Sequence, residues 1–122
     1  MKIKGAETKL EESVQRTINA SSDGDPEGWI ADLMQGGCQS GHVGSLIYYT
    51  DTVKFYKAHR AEIDGLLRGL CADCGNTPAQ LFGDKWDADD FFARDTQNQN
   101  LLAWFGFEET ARKLADRNGI EV

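Results

Sequence analysis

The chain has 122 residues, 40% of them hydrophobic and 27% charged, with a net charge of −7 at pH 7. That size and composition fit a single globular domain, residues 1–122, able to bury its own core, and exclude a disordered segment. The acidity argues against direct nucleic-acid binding and against an anionic membrane surface, both of which call for cations, and it permits a basic protein partner.

Met1 is followed by Lys-Ile-Lys and a polar run with no apolar core of a signal peptide, and no stretch approaches about 18 apolar residues. The expectation is an intracellular, cytoplasmic protein without a membrane span. Three cysteines, Cys38, Cys71 and Cys74, agree with that, since an odd number in a chain with no export signal points to reduced thiols.

In chain order, Leu10, Val14 and Ile18 predict an amphipathic helix over 6–18, and the polar run 19–24 breaks it. Asp25 reads as an N-cap with Pro26 in the first turn of a second helix, which carries Trp29, Ile30, Leu33 and Met34 and stops at Gly36-Gly37. A Gly- and Ser-rich stretch, 38–45, leads into Leu46-Ile47-Tyr48-Tyr49. That run suits a buried strand or a short helix, and the helical patterns on both sides favour helix. Thr50 or Asp51 caps the longest expected helix, running to Ala72 over roughly 33 Å. Its apolar seam is Val53, Tyr56, Ile63, Leu67 and Leu70, with Arg60 at the seam's edge, paired or snorkelling. Gly75 ends it. Thr77-Pro78 opens a short turn through Phe82, Asp87 or Asp89 caps a short helix with Phe91 and Phe92, and a last helix spans about 97–118 before Gly119. Leu101, Leu102, Trp104, Phe105, Phe107, Ala111 and Leu114 cover more than one face of that helix, which marks it as central. No alternating strand pattern of useful length is present. The expected fold class is all-α, a compact bundle of five or six unequal helices.

Few motifs carry chemistry. Cys38-x-x-x-His42 with Cys71-x-x-Cys74 supplies three thiols and an imidazole, a donor set for tetrahedral zinc. Against it stand the ample core and the place of Cys71 on an apolar helix face, so no metal or other cofactor is expected. Asp23-Gly-Asp25-Pro-Glu27-Gly28 begins like a calcium loop, but Met34 stands where the last carboxylate belongs. Gly36, Gly37, Gly41 and Gly44 match no phosphate-binding pattern, and no constellation joins a nucleophile, base and orienter, so an enzyme is not expected. The strongest feature is electrostatic. Asp84, Asp87, Asp89, Asp90 and Asp95 crowd one segment around Trp86, opposed only by Lys85 and Arg94. Helix capping accounts for three of the five; a partner's basic groove would engage all of them, with Trp86 as anchor.

Two strings, Gly36-Gly-Cys-Gln-Ser-Gly-His-Val-Gly-Ser-Leu-Ile-Tyr-Tyr-Thr-Asp-Thr-Val-Lys-Phe-Tyr56 and Leu102-Ala-Trp-Phe-Gly-Phe-Glu-Glu-Thr-Ala-Arg-Lys-Leu-Ala115, resemble a family of small uncharacterised proteins of tailed phages and prophages. The family brings no assigned chemistry and no functional residue. Its relatives carry a bulky apolar residue where His42 stands, which counts against zinc. The resemblance implies a setting in a bacterial host cell, where small acidic proteins of mobile elements bind host proteins, inhibitors of CRISPR and restriction enzymes among them. The expected function is protein–protein binding that inhibits a host defence system, with Asp84, Asp87, Asp89, Asp90 and Asp95 mimicking nucleic acid and Trp86 as anchor. The alternatives are a zinc-stabilised module and a homo-oligomeric phage accessory or regulatory protein.

Overall fold

Capping chemistry, more than hydrophobic period, decides where the helices begin and end. In the computed structural model the described residues are 1–36, 52–75, 80 and 96–122. They form five helices and no strand: α1 Lys9–Ser21, α2 Pro26–Gly36, α3 Thr52–Ala58, α4 Arg60–Asp73 and α5 Thr96–Arg117. The fold is all-α. The expected elements at 46–49 and 87–92, that at 77–82 except for the helical, exposed Gln80, and the caps at Thr50 and Asp51 lie outside the described residues. None of the helices, among the described residues, is long and apolar enough to cross a membrane.

Two units divide the chain, Met1–Asp51 with Phe107–Val122, and Thr52–Gly106. The division falls within α5, whose residues up to Gly106 belong to the second unit and the rest to the first.

In the first unit, the period sets the start of α1 near residue 6, yet the helix begins at Lys9. Thr8 caps it, its hydroxyl accepting from the Glu11 N–H at 3.1 Å. The Glu11 carboxylate turns back to accept from the Glu7 N–H at 3.1 Å, a variant of the capping box shifted by one residue. At the other end α1 runs on to Ser21, so Asn19, expected in the break, is helical. Leu10, Val14 and Ile18 are buried as the period requires. Asp25 caps α2 as expected, accepting from the Gly28 N–H at 3.0 Å. Trp29, Ile30 and Leu33 of α2 are buried, as are Phe107, Ala111, Leu114 and Ala115 of α5. Helix α5 ends in a Schellman motif: the Ile120 N–H reaches the Ala115 carbonyl at 2.9 Å and the Gly119 N–H the Asp116 carbonyl at 3.2 Å. Gly119 has φ +70°, a conformation that favours glycine, and Ile120 beyond it is buried.

In the second unit, the one long helix expected up to Ala72 is instead two, α3 and α4, with a turn at His59. The His59 N–H is shared between the carbonyls of Phe55 and Tyr56, both at 3.2 Å. No glycine or proline marks the site, so the hydrophobic period runs straight through it. The buried seam is Tyr56, Ile63, Leu67 and Cys71. Leu70 is not part of it but 46% exposed, and Val53 is half-buried. Cys71 thus takes the last seam position, in keeping with a free cysteine acting as a small hydrophobe. In α5, Leu102 and Ala103 are buried, whereas Trp104 and Phe105 are half-buried.

Arg117, in the last turn of α5, donates to both carboxylate oxygens of Glu11 in α1 and lies 3.5 Å from Glu7. Its guanidinium holds the Glu11 carboxyl below the ordinary value of 4.5. A depressed folded-state pKa stabilises above the unfolded value, and that contribution fades as pH falls through the folded value. In thermal melts, the gap in Tm between the wild type and Glu11→Gln should therefore be widest near neutrality and shrink as pH drops below about 4.5. A gap that stays constant into acid would contradict this role for the pair.

Candidate functional site

The residues singled out for partner binding, Asp84, Trp86, Asp87, Asp89, Asp90 and Asp95, lie outside the described residues, as do Cys38 and His42. Of the zinc donor set, the described members are Cys71, buried in the last turn of α4, and Cys74, exposed at its C-cap. Among the described residues no group of three His, Cys, Asp or Glu side chains gathers as a metal site. His59, expected on the helix surface, has a side chain only 11% exposed; its ring stands edge-on to Phe55 at 5.1 Å, with Nδ1 3.8 Å from Glu62.

Two polar constellations are built from the described residues. The first, in the second unit, joins α3 to α4 across the turn at His59. Tyr56 is fully buried, and its hydroxyl donates to Asp64 Oδ1 at 3.2 Å. Arg60, the cation expected at the seam's edge, is paired there, with Nε 3.6 Å from Asp64 Oδ2. Burial pushes the Asp64 carboxyl up, while the Tyr56 hydroxyl and the Arg60 and Arg68 guanidiniums pull it back. Burial, followed by the neighbouring Asp64 charge, pushes the Tyr56 phenol far above its ordinary range. The phenol stays protonated and serves as a donor. With Arg60 beside it the carboxylate is a braced anchor between two helices.

The second constellation, in the first unit, holds residues 1–7, which form no helix and lie along α1 in the opposite direction. Asn19 of α1 grips Ile3 at both ends: its Oδ1 accepts from the Ile3 N–H at 2.9 Å and its Nδ2 donates to the Ile3 carbonyl at 2.9 Å. Asn118, just past α5, treats Lys4 in the same way, at 3.0 and 2.8 Å. Gln15 Oε1 accepts from the Ala6 N–H at 3.0 Å, and Arg117 donates to the Gly5 carbonyl at 3.0 Å. The Ile3 side chain is buried, at 2% exposure. Asn19 and Asn118 each present one donor and one acceptor to the segment's main chain, as a neighbouring strand would.

Sequence reasoning passes over this seat. Thr8-x-x-Glu11 is a capping-box signature that locates the true start of α1 and so frees residues 1–7 for another role. Nothing in the sequence alone matches Asn19 to Ile3 or Asn118 to Lys4, because those pairings are tertiary.

No curated protein and no solved structure matches the chain. One family does, over residues 7–121, and by that match the chain belongs to the family described as a domain of unknown function, DUF7222.

Proposed function

We propose that this chain acts by binding a protein with a basic, nucleic-acid-binding surface, as a mobile-element inhibitor of a bacterial host's defence system working in the host cytoplasm. One observation carries the reading. Residues 81–95 hold five aspartates against Lys85 and Arg94, so three of the seven net negative charges sit in an eighth of the chain. Three of the five arginines of the described helices support it: Arg60, Arg112 and Arg117 each face carboxylates of their own unit, namely Asp64, Glu108 with Glu109, and Glu7 with Glu11. Asp84, Asp87, Asp89, Asp90 and Asp95 then serve as the stand-in for phosphates, and Trp86 adds apolar contact beside them. Neither direct nucleic-acid binding nor a membrane enters this reading, and no cofactor is called for.

The test is affinity capture from a bacterial lysate containing defence systems, with captured proteins identified by mass spectrometry and the pair then titrated against salt. The expected result is a nucleic-acid-binding protein held by the wild type, with affinity falling about tenfold or more between about 0.1 and 0.5 M salt. Replacing the five aspartates with asparagine should reduce capture by at least as much. A partner held equally well by that variant, or with affinity flat across the salt range, removes the mimicry reading.

A further inference from the structure

We propose that Asn118 is a modification site: it deamidates spontaneously through the Gly119 main-chain nitrogen, and the hydrogen bonds that join it to residues 1–7 hold that reaction in check. The sequence supplies the reactive pair. Asn118-Gly119 is the one Asn-Gly dipeptide of the chain, and a glycine after asparagine leaves the attacking nitrogen unshielded by a side chain. The fold demands both residues. Gly119 has φ +70°, in the region that favours glycine, as the Schellman end of α5 requires. Asn118 presents an acceptor and a donor to Lys4, which an ionised aspartate, an acceptor only, cannot do. Asn118 is half-buried and Gly119 exposed, so water and hydroxide reach the pair.

The reaction needs only water. The Gly119 nitrogen bonds to Asn118 Cγ, the Cγ–Nδ2 bond breaks, and Nδ2 leaves as ammonia with the proton of the Gly119 N–H. Water then opens the cyclic imide at either carbonyl, giving aspartate or isoaspartate. In the folded chain both reactants are engaged elsewhere. Asn118 Nδ2 donates to the Lys4 carbonyl at 2.8 Å and to the Leu114 carbonyl at 2.7 Å, while Oδ1 accepts from the Lys4 N–H at 3.0 Å. The Leu114 carbonyl also accepts from Asn118's own N–H, at 3.1 Å, so the side-chain amide is drawn back toward the preceding turn. The Gly119 N–H donates to the Asp116 carbonyl at 3.2 Å. Ring closure requires these bonds to open together, which slows the reaction in the native state relative to the unfolded one. The product reverses the grip on the segment. A carboxylate at position 118 has no donor for the Lys4 and Leu114 carbonyls and repels both.

The test is incubation of the full-length chain at mildly alkaline pH, quenched in acid, digested with pepsin and followed by mass spectrometry of the fragment that holds Asn118. The wild type in buffer is compared with the wild type in guanidinium chloride and with Ile3→Asp, which removes the buried anchor of residues 1–7. Exchange of amide for acid at Asn118 should be about tenfold or more faster in denaturant than in buffer, and about threefold or more faster in Ile3→Asp than in the wild type. Asn19 grips Ile3 in the same way but precedes Ala20, and should stay unconverted over the same period in every sample. Circular dichroism melts establish that Ile3→Asp is folded, and Ile3→Ala replaces it if it is not. Asn118→Asp, which makes the product directly, should melt below the wild type. No conversion in denaturant, equal rates in denaturant and buffer, a folded Ile3 variant that converts at the wild-type rate, or an Asn118→Asp melt coincident with that of the wild type overturns the inference.

Discussion

Replacing Trp29 with alanine is expected to destabilise the first unit by about 3–5 kcal/mol, the range for removing a buried aromatic side chain. Trp29 is 3% exposed and lies on α2, and its ring sits 6.1 Å from that of Phe107 on α5, with the planes tilted by 54°. Ring pairs at such spacing add about 0.5–1.5 kcal/mol beyond the area they bury. The cost thus has two parts, a lost ring contact with Phe107 and a cavity left in the unit's core. Trp29→Phe separates them, since it keeps a ring opposite Phe107 and leaves a much smaller hole. Its cost should be well below that of Trp29→Ala. Urea denaturation followed by far-UV circular dichroism checks both, through the midpoint at unchanged slope. A Trp29→Ala midpoint within error of the wild type would mean that this side chain is not part of the unit's core.

What was legible in the sequence follows from which interactions are local. Asp25 capping α2, the apolar positions 10, 14 and 18, the glycine ending at 119 and the Arg60 pairing all rest on neighbours within a few residues, and all are present. The start of α1 was legible too, in Thr8 and Glu11, but only to a reading that weighs caps above period. The turn at His59 was not. Eight residues of straight helix span about 12 Å, yet Tyr56 and Asp64, eight apart, meet by a hydrogen bond across the turn. A bond of that kind is a tertiary contact, and the residues around it keep a helical period whether the helix bends or not. The place of Leu70 has a simpler cause: Leu70 and Cys71 lie three and four residues beyond buried Leu67, both are compatible with the helical period, and it is Cys71, also read from the sequence as apolar-face, that is buried. Of the candidate sites, the acidic segment is a matter of composition and needs only the sequence. The seat holding residues 1–7 depends on Asn19 and Asn118, polar residues at helix ends that elsewhere would only mark a break.

Three glycines in helices should respond to the same substitution with opposite signs. At Gly106 of α5 an added Cβ would stand 2.6 Å from Ile63 Cγ1 and 2.9 Å from its Cδ1. Ile63 is fully buried in α4, and its β-branched side chain is stiff at χ1, so it cannot swing aside into solvent. Alanine gains about 1 kcal/mol in helix propensity over glycine, but overpacking of this kind costs about 1–3 kcal/mol. Gly106→Ala should therefore be destabilising overall, and Gly106→Val more so. At Gly65 and Gly69 of α4 nothing lies within 4 Å of an added Cβ. There only the propensity and unfolded-state terms remain, and each alanine should stabilise by about 0.4–1 kcal/mol. The contrast isolates packing from propensity, because the chemistry of the change is identical. Ile63→Ala supplies the remaining control: it costs stability itself, but in its background Gly106→Ala should lose most of its penalty, a coupling of about 0.5–3 kcal/mol in a double-mutant cycle. Additive effects of the two changes would show that Gly106 is small for some reason other than its approach to Ile63.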